Sequence, residues 1–284
     1  MNTIQNDRLI LVPCDFSPIA FHAMGHGAFI SRAMNCRLMI MYVAARDSEI
    51  PIMEKKLGIV AEECFDKFGI RPEIEIRQGS QPYAVIKEVA GELRPMLVIV
   101  KTGGGVQTIK TLLGISAPFL VIQGPPEKSI LDNISFPINF LNNHDQKMKR
   151  VILFSGYYPG AVMHVVTPSG KGTQKERNIS MSLDLLTKVM DKQGVNISFS
   201  THDKKKNSAE TILELSKGTD MIVIQIEQTT TLNRFLFGTR EEKLITNADK
   251  IPVLCFNRLA DITESGSNLR PNLNVSRAAP FNRP

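Results

Sequence analysis

The chain has 284 residues, 43% of them hydrophobic and 22% charged, enough apolar material for one large or two ordinary globular domains. The net charge of +6 is concentrated in short runs such as Lys204, Lys205 and Lys206 and in an Arg-bearing C-terminus, and only 6% of residues are aromatic. A solvated charge run without interleaved aromatics argues against a nucleic-acid surface, and no apolar run approaches the roughly 20 residues that cross a bilayer.

In chain order, "RLILVPCDF" (8–16) reads as a buried strand, and Ser17-Pro18 opens a helical pattern. "RLMIMYVA" (37–44) is a second strand, and "PIMEKKLGIVAEECFDKFG" (51–69) is an amphipathic helix ending at Gly69. "PEIEIRQG" alternates as a strand, and a helix runs from Pro82 to just before Pro95. "MLVIV" and "PFLVIQ" are two more apolar strands, with the glycine turn Gly103-Gly104-Gly105 between them. Strands alternating with helices of this length imply βαβ units and a parallel sheet covered on both faces.

The pattern then recurs. "ISFPINF" (134–140) echoes "ILVPCDF" (10–16), with Pro137, Asn139 and Phe140 at 124 residues from Pro13, Asp15 and Phe16. "VMHVVT" (162–167) is aligned with "IMYVAA" (40–45), Gly194 with Gly69, "MIVIQ" (221–225) with "MLVIV" (96–100), and "PVLCFN" with "PFLVIQ". Two tandem α/β domains are expected, 1–126 and 127–258, followed by a flexible tail at 259–284. Between Gly114 and Pro118 the first copy is about ten residues shorter than the second between Gly238 and Pro252, close to three turns of helix. The second copy is therefore expected to keep a last helix that the first has shortened or lost. Thr239 and Glu242 form its capping box.

The strand end "LVPCDFS" (11–17), the glycine turn after the fourth strand and the later Gly-Ser/Thr position together resemble the universal stress protein family. The resemblance implies an α/β fold of two doubly wound five-stranded parallel sheets, similar to adenine-nucleotide alpha hydrolases, packed as a pseudo-dimer through their last strands. It also implies the positions of a nucleotide site: Pro13, Asp15, Val43, Lys101, Gly104 and Gly114 in the first copy, and Asn139, Gly238 and Thr239 in the second. Both sets depart from the pattern. Lys101 and Ile115 replace a glycine and a hydroxyl residue in the first copy. In the second, Asn139 replaces an aspartate, and Gln225 and Gln228 replace two glycines, where a Cβ crowds a phosphate.

Each signal has a plainer structural use. A glycine turn after a strand is common, Asp15 can cap the following helix with Ser17, and Thr239 can serve only as a cap. No P-loop, nucleophile elbow or HExxH motif is present, and no catalytic residue or metal site is assigned. The sequence favours a non-enzymatic stress-response module that binds a small ligand or a protein, with weakened or absent ATP binding. The alternative is an ATP- or AMP-binding switch using the first-copy pocket. A homodimer, a cytoplasmic location, no membrane and no nucleic acid complete the expectation. The four cysteines, far apart and in apolar patterns, are expected to be free and buried.

Overall fold

The computed structural model describes residues 8–101, 115, 117–126, 128, 131–138, 160–169, 174–192, 194–203, 209–226 and 240–257. The first half comprises β1 (Leu9–Pro13), α1 (Pro18–Met34), β2 (Arg37–Ala44), α2 (Ile50–Phe68), β3 (Glu73–Gln78), α3 (Pro82–Leu93), β4 (Leu97–Lys101) and β5 (Phe119–Ile122). The second comprises β6 (Asn133–Pro137), β7 (Val162–Ser169), α4 (Gln174–Lys192), β8 (Ile197–Asp203), α5 (Ala209–Leu215), β9 (Met221–Ile226), α6 (Arg240–Ile245) and β10 (Val253–Asn257).

Helix boundaries follow local chemistry. Ser17 caps α1 by accepting from the Ala20 N–H, and Pro18 stands in the first turn where a missing donor costs nothing. α1 ends where Asn35 turns left-handed at φ 48°, and α2 ends where Gly69 does so at φ 71°. Arg94, also left-handed, stops α3 one residue before Pro95.

The ten strands form one sheet in the order β3-β2-β1-β4-β5-β10-β9-β6-β7-β8. Each half is parallel within itself, and the halves meet where β5 pairs antiparallel with β10, Val121 opposite Val253 and Phe119 opposite Cys255. The expected joining of "PFLVIQ" to "PVLCFN" is therefore the join that forms. Alternate strand residues feed two apolar layers. Ile10, Ile99, Leu120, Ile134 and Leu254 lie under α1, α2 and α4, while Leu11, Val98, Val121, Ile222 and Val253 lie under α3, α5 and α6. Burial on both faces explains why the strands read as continuous apolar runs.

The strand register corrects two repeat alignments. Pro13 is opposite Met41 and Pro137 opposite Val166, and the Cys14 N–H donates to Met41 O (2.7 Å) as the Ile138 N–H does to Val166 O (2.8 Å). β2 thus corresponds to residues 162–169 from its first residue, three residues away from the alignment of 40–45 with 162–167. Likewise Leu97, not Met96, corresponds to Met221, because they sit opposite Ile10 and Ile134 respectively. Nearly uniform apolar runs carry no internal mark against such a slip, whereas hydrogen bonding to a neighbour does. Gly69 and Gly194 do correspond, both left-handed, at φ 71° and 67°.

β4 ends at residue 101 and β5 begins at 119, while β9 ends at 226 and β10 begins at 253. α6 occupies part of that longer second connection, as six residues rather than three full turns. The expected loss of the first copy's last helix falls on 102–114 and 116, outside the described residues, as does the tail. Cys14, Cys64 and Cys255 are buried and free. Cys36 is also free but only partly buried, because it lies in the turn after α1. No helix among the described residues is long and apolar enough to cross a membrane.

Candidate functional site

The strand order places the connection from β1 toward β2 and β3 on one side, and that from β4 toward β5 on the other. The carboxyl ends of β1 and β4 therefore flank a crevice at a topological switch point, the usual ligand entry in open α/β sheets. Two of the expected residues meet there. Asp15 lies two residues past β1, and Lys101 is the last residue of β4.

The turn that presents Asp15 is tightly specified. Phe16 adopts φ 59°, an uncommon state for a bulky residue, and its ring packs 5.3 Å from that of Tyr42 with the Lys56 ammonium 5.8 Å above it. This reversal lets Asp15 Oδ1 accept from both the Ser17 backbone N–H (3.1 Å) and the Ser17 hydroxyl (2.6 Å). The Lys101 ammonium donates to Asp15 Oδ2 and also to Ser17 Oγ, 3.0 Å away. Ser17 Oγ then accepts from Lys101 and the Ala20 N–H while donating to Asp15, which uses its full hydrogen-bonding capacity. The two readings of Asp15 thus merge: Ser17 is the cap, and Asp15 holds Ser17.

Partial burial alone would raise the Asp15 carboxyl, but the Lys101 and Ser17 hydrogen bonds outweigh it and hold the group below the ordinary carboxylate range. Burial pushes the neighbouring Cys14 thiol up, so it is no ready nucleophile. Half of the Asp15 side chain (52%) remains exposed.

Val43, next to last in β2, is half-buried and packs against the apolar layer beneath α3, as Tyr83 and Val85 do. A Cβ on Gly79 would run into Val85 Cγ2, so any larger residue where β3 turns toward α3 would have to push Val85 aside. Pro13 is the half-buried last residue of β1. Gly104, Gly114, Asn139, Gly238 and Thr239 lie outside the described residues. The residue that sequence reasoning left out of the site is Ser17; its signal, Ser before Pro at a helix start, was visible as a cap only. Through the register, Gln225 occupies in the second half the place of Lys101, and its Oε1 is buried without a hydrogen-bond partner among the described residues.

No protein-family model and no curated protein matches the sequence. Among solved structures, a universal stress protein from Archaeoglobus fulgidus DSM 4304 is 16% identical with a TM-score of 0.67, covering 89% of this chain and 97% of its own. A protein of unknown function from Pseudomonas aeruginosa PAO1 is 15% identical with a TM-score of 0.62, over 93% and 98% respectively. The fold is that of the universal stress proteins.

Proposed function

We propose that this protein is a non-enzymatic stress-response module that binds a small ligand or a protein partner, with nucleotide affinity in its first half weakened or absent. The observation that carries the reading is the Lys101 ammonium resting on the Asp15 carboxylate. An acid that a ligand's hydroxyl or amino donor would approach is already neutralised from within the chain. Around it the described side chains supply an ion pair and a helix cap, with the thiol of Cys14 held protonated. The domain limits 1–126 and 127–258 belong to this proposal, as does a homodimer.

Thermal melts with ATP or AMP, with and without Mg²⁺, test it. A site in hundredfold excess of ligand over Kd gains about 2.7 kcal/mol. The expected result at micromolar nucleotide is no resolved shift, and no phosphate release over hours. A full shift at micromolar ATP would favour the ATP or AMP switch, for which the half-exposed Asp15 side chain speaks, and release of phosphate would overturn the non-enzymatic reading.

A further inference from the structure

We propose that Lys101 is a displaceable internal counter-ion that opens the β1–β4 crevice to ligands carrying an anionic group beside hydrogen-bond donors, and closes it to neutral ones. This rests on the reading above, that the crevice is a weak ligand site, and names the ligand class and the gate. Asp15 Oδ1 already takes two hydrogen bonds from Ser17, so a ligand donor must compete for Oδ2, where the ammonium sits. A neutral ligand that takes Oδ2 leaves Lys101, only 28% exposed, without its carboxylate partner and draws it away from Ser17 Oγ. An anionic ligand offers Lys101 a replacement partner, so the exchange conserves one charge-assisted contact while Asp15 turns to the ligand's donors. The four-carbon stem of lysine allows the swing.

Two further observations agree. The first turn of α1, after the Ser17 cap, contains no acidic residue, so Asp15, already bonded to Ser17, is the one carboxylate of this segment that an anion entering beside Lys101 faces. In the second half, the same place in the same fold holds Gln225, so the module does not need an ammonium there to build its sheet.

Calorimetric titration of the full chain with adenosine and AMP, a pair differing only by the phosphate, tests the gate. The wild type is expected to prefer AMP over adenosine by about tenfold or more, with the preference shrinking at high salt. Lys101→Met should bind adenosine about tenfold more tightly than the wild type does and lose the preference for AMP. Asp15→Asn, which leaves Lys101 without its counter-ion, should gain affinity for inorganic phosphate and keeps the proposal testable should Lys101→Met fail to fold. A folded Lys101→Met that keeps the wild-type preference would overturn the gate, as would an Asp15→Asn without gain for phosphate. Binding of neither nucleoside nor nucleotide by any of these proteins would overturn the gate while leaving weak-or-absent binding intact. Submicromolar AMP binding by the wild type, with adenosine still gaining in Lys101→Met, would overturn only the weak-binding reading.

Discussion

Lys101 and Asp15 are 86 positions apart, and each was recognisable from its neighbours: the aspartate from the strand-ending "VPCDF", the lysine from the β-branched run before three glycines. Their contact was not legible, because it depends on β1 and β4 lying side by side, a property of topology rather than of either segment. The pair is too exposed to matter much for folding. Lys101→Met should change stability by less than about 1 kcal/mol in urea unfolding, since solvent screens such pairs. A larger loss would mean that Lys101 fastens β4 to α1 rather than guarding a crevice. Gln225 makes the opposite case. Its buried Oε1 lacks a partner among the described residues, and an unmade hydrogen bond costs about 1–3 kcal/mol. Gln225→Met, similar in shape without the carbonyl, should raise the urea midpoint, and an unchanged or lower midpoint would show that the carbonyl is satisfied after all.

At the level of elements, the strands and helices of the first half were readable because apolar period and end signals agree. Ser-Pro opens α1, Pro82 opens α3, and Gly69 closes α2. The register between copies was less readable, since apolar residues follow one another along β2 and β4 without a landmark. Helix glycines show how packing decides what propensity leaves open. Gly58 in α2 has nothing within 4 Å of the position a Cβ would take, so Gly58→Ala should stabilise by about 0.5–1 kcal/mol. Gly27 in α1 faces the sheet, where a Cβ would come 2.9 Å from Leu38 Cδ1 and 3.0 Å from Val12 Cγ2. Here the clash outweighs propensity, and Gly27→Val should destabilise by about 1–3 kcal/mol. Thermal melts of the two variants should move in opposite directions; movement the same way would show that α1 can lift from the sheet at little cost.

Across the whole molecule, the two halves meet through β5 and β10 inside a single chain, and the segment joining them is fastened to both. His26 on α1 hydrogen-bonds the Gly124 carbonyl through Nε2 at 3.3 Å, and Pro126 packs over Gly25 of the same helix. On the other side, Gln123 donates to Ile245 O (2.8 Å), and Lys128 pairs with Asp220 (3.0 Å), whose second oxygen holds the Asp132 and Asn133 N–H groups at the start of β6. His26, Lys128 and Asp220 line one small cavity at this junction, together with Leu120 and Pro252. Burial, opposed by the Gly124 bond and assisted by neighbouring His22, lowers His26 from 6.5 to about 4. The folded protein therefore keeps this imidazole neutral while the unfolded chain protonates it, so stability is full above about pH 6.5 and falls as pH drops toward 4. At 1.36 kcal/mol per unit, the loss approaches about 3 kcal/mol and levels off below that range. Asp15, whose carboxyl is held low, contributes in the same direction but only below about pH 4, where its unfolded form gains a proton first. Urea unfolding at a series of pH values between 4 and 7 should show this slope in the wild type and a flatter one in His26→Gln. An equal slope in both proteins would place the titrating group elsewhere and remove His26 from the junction's energetics.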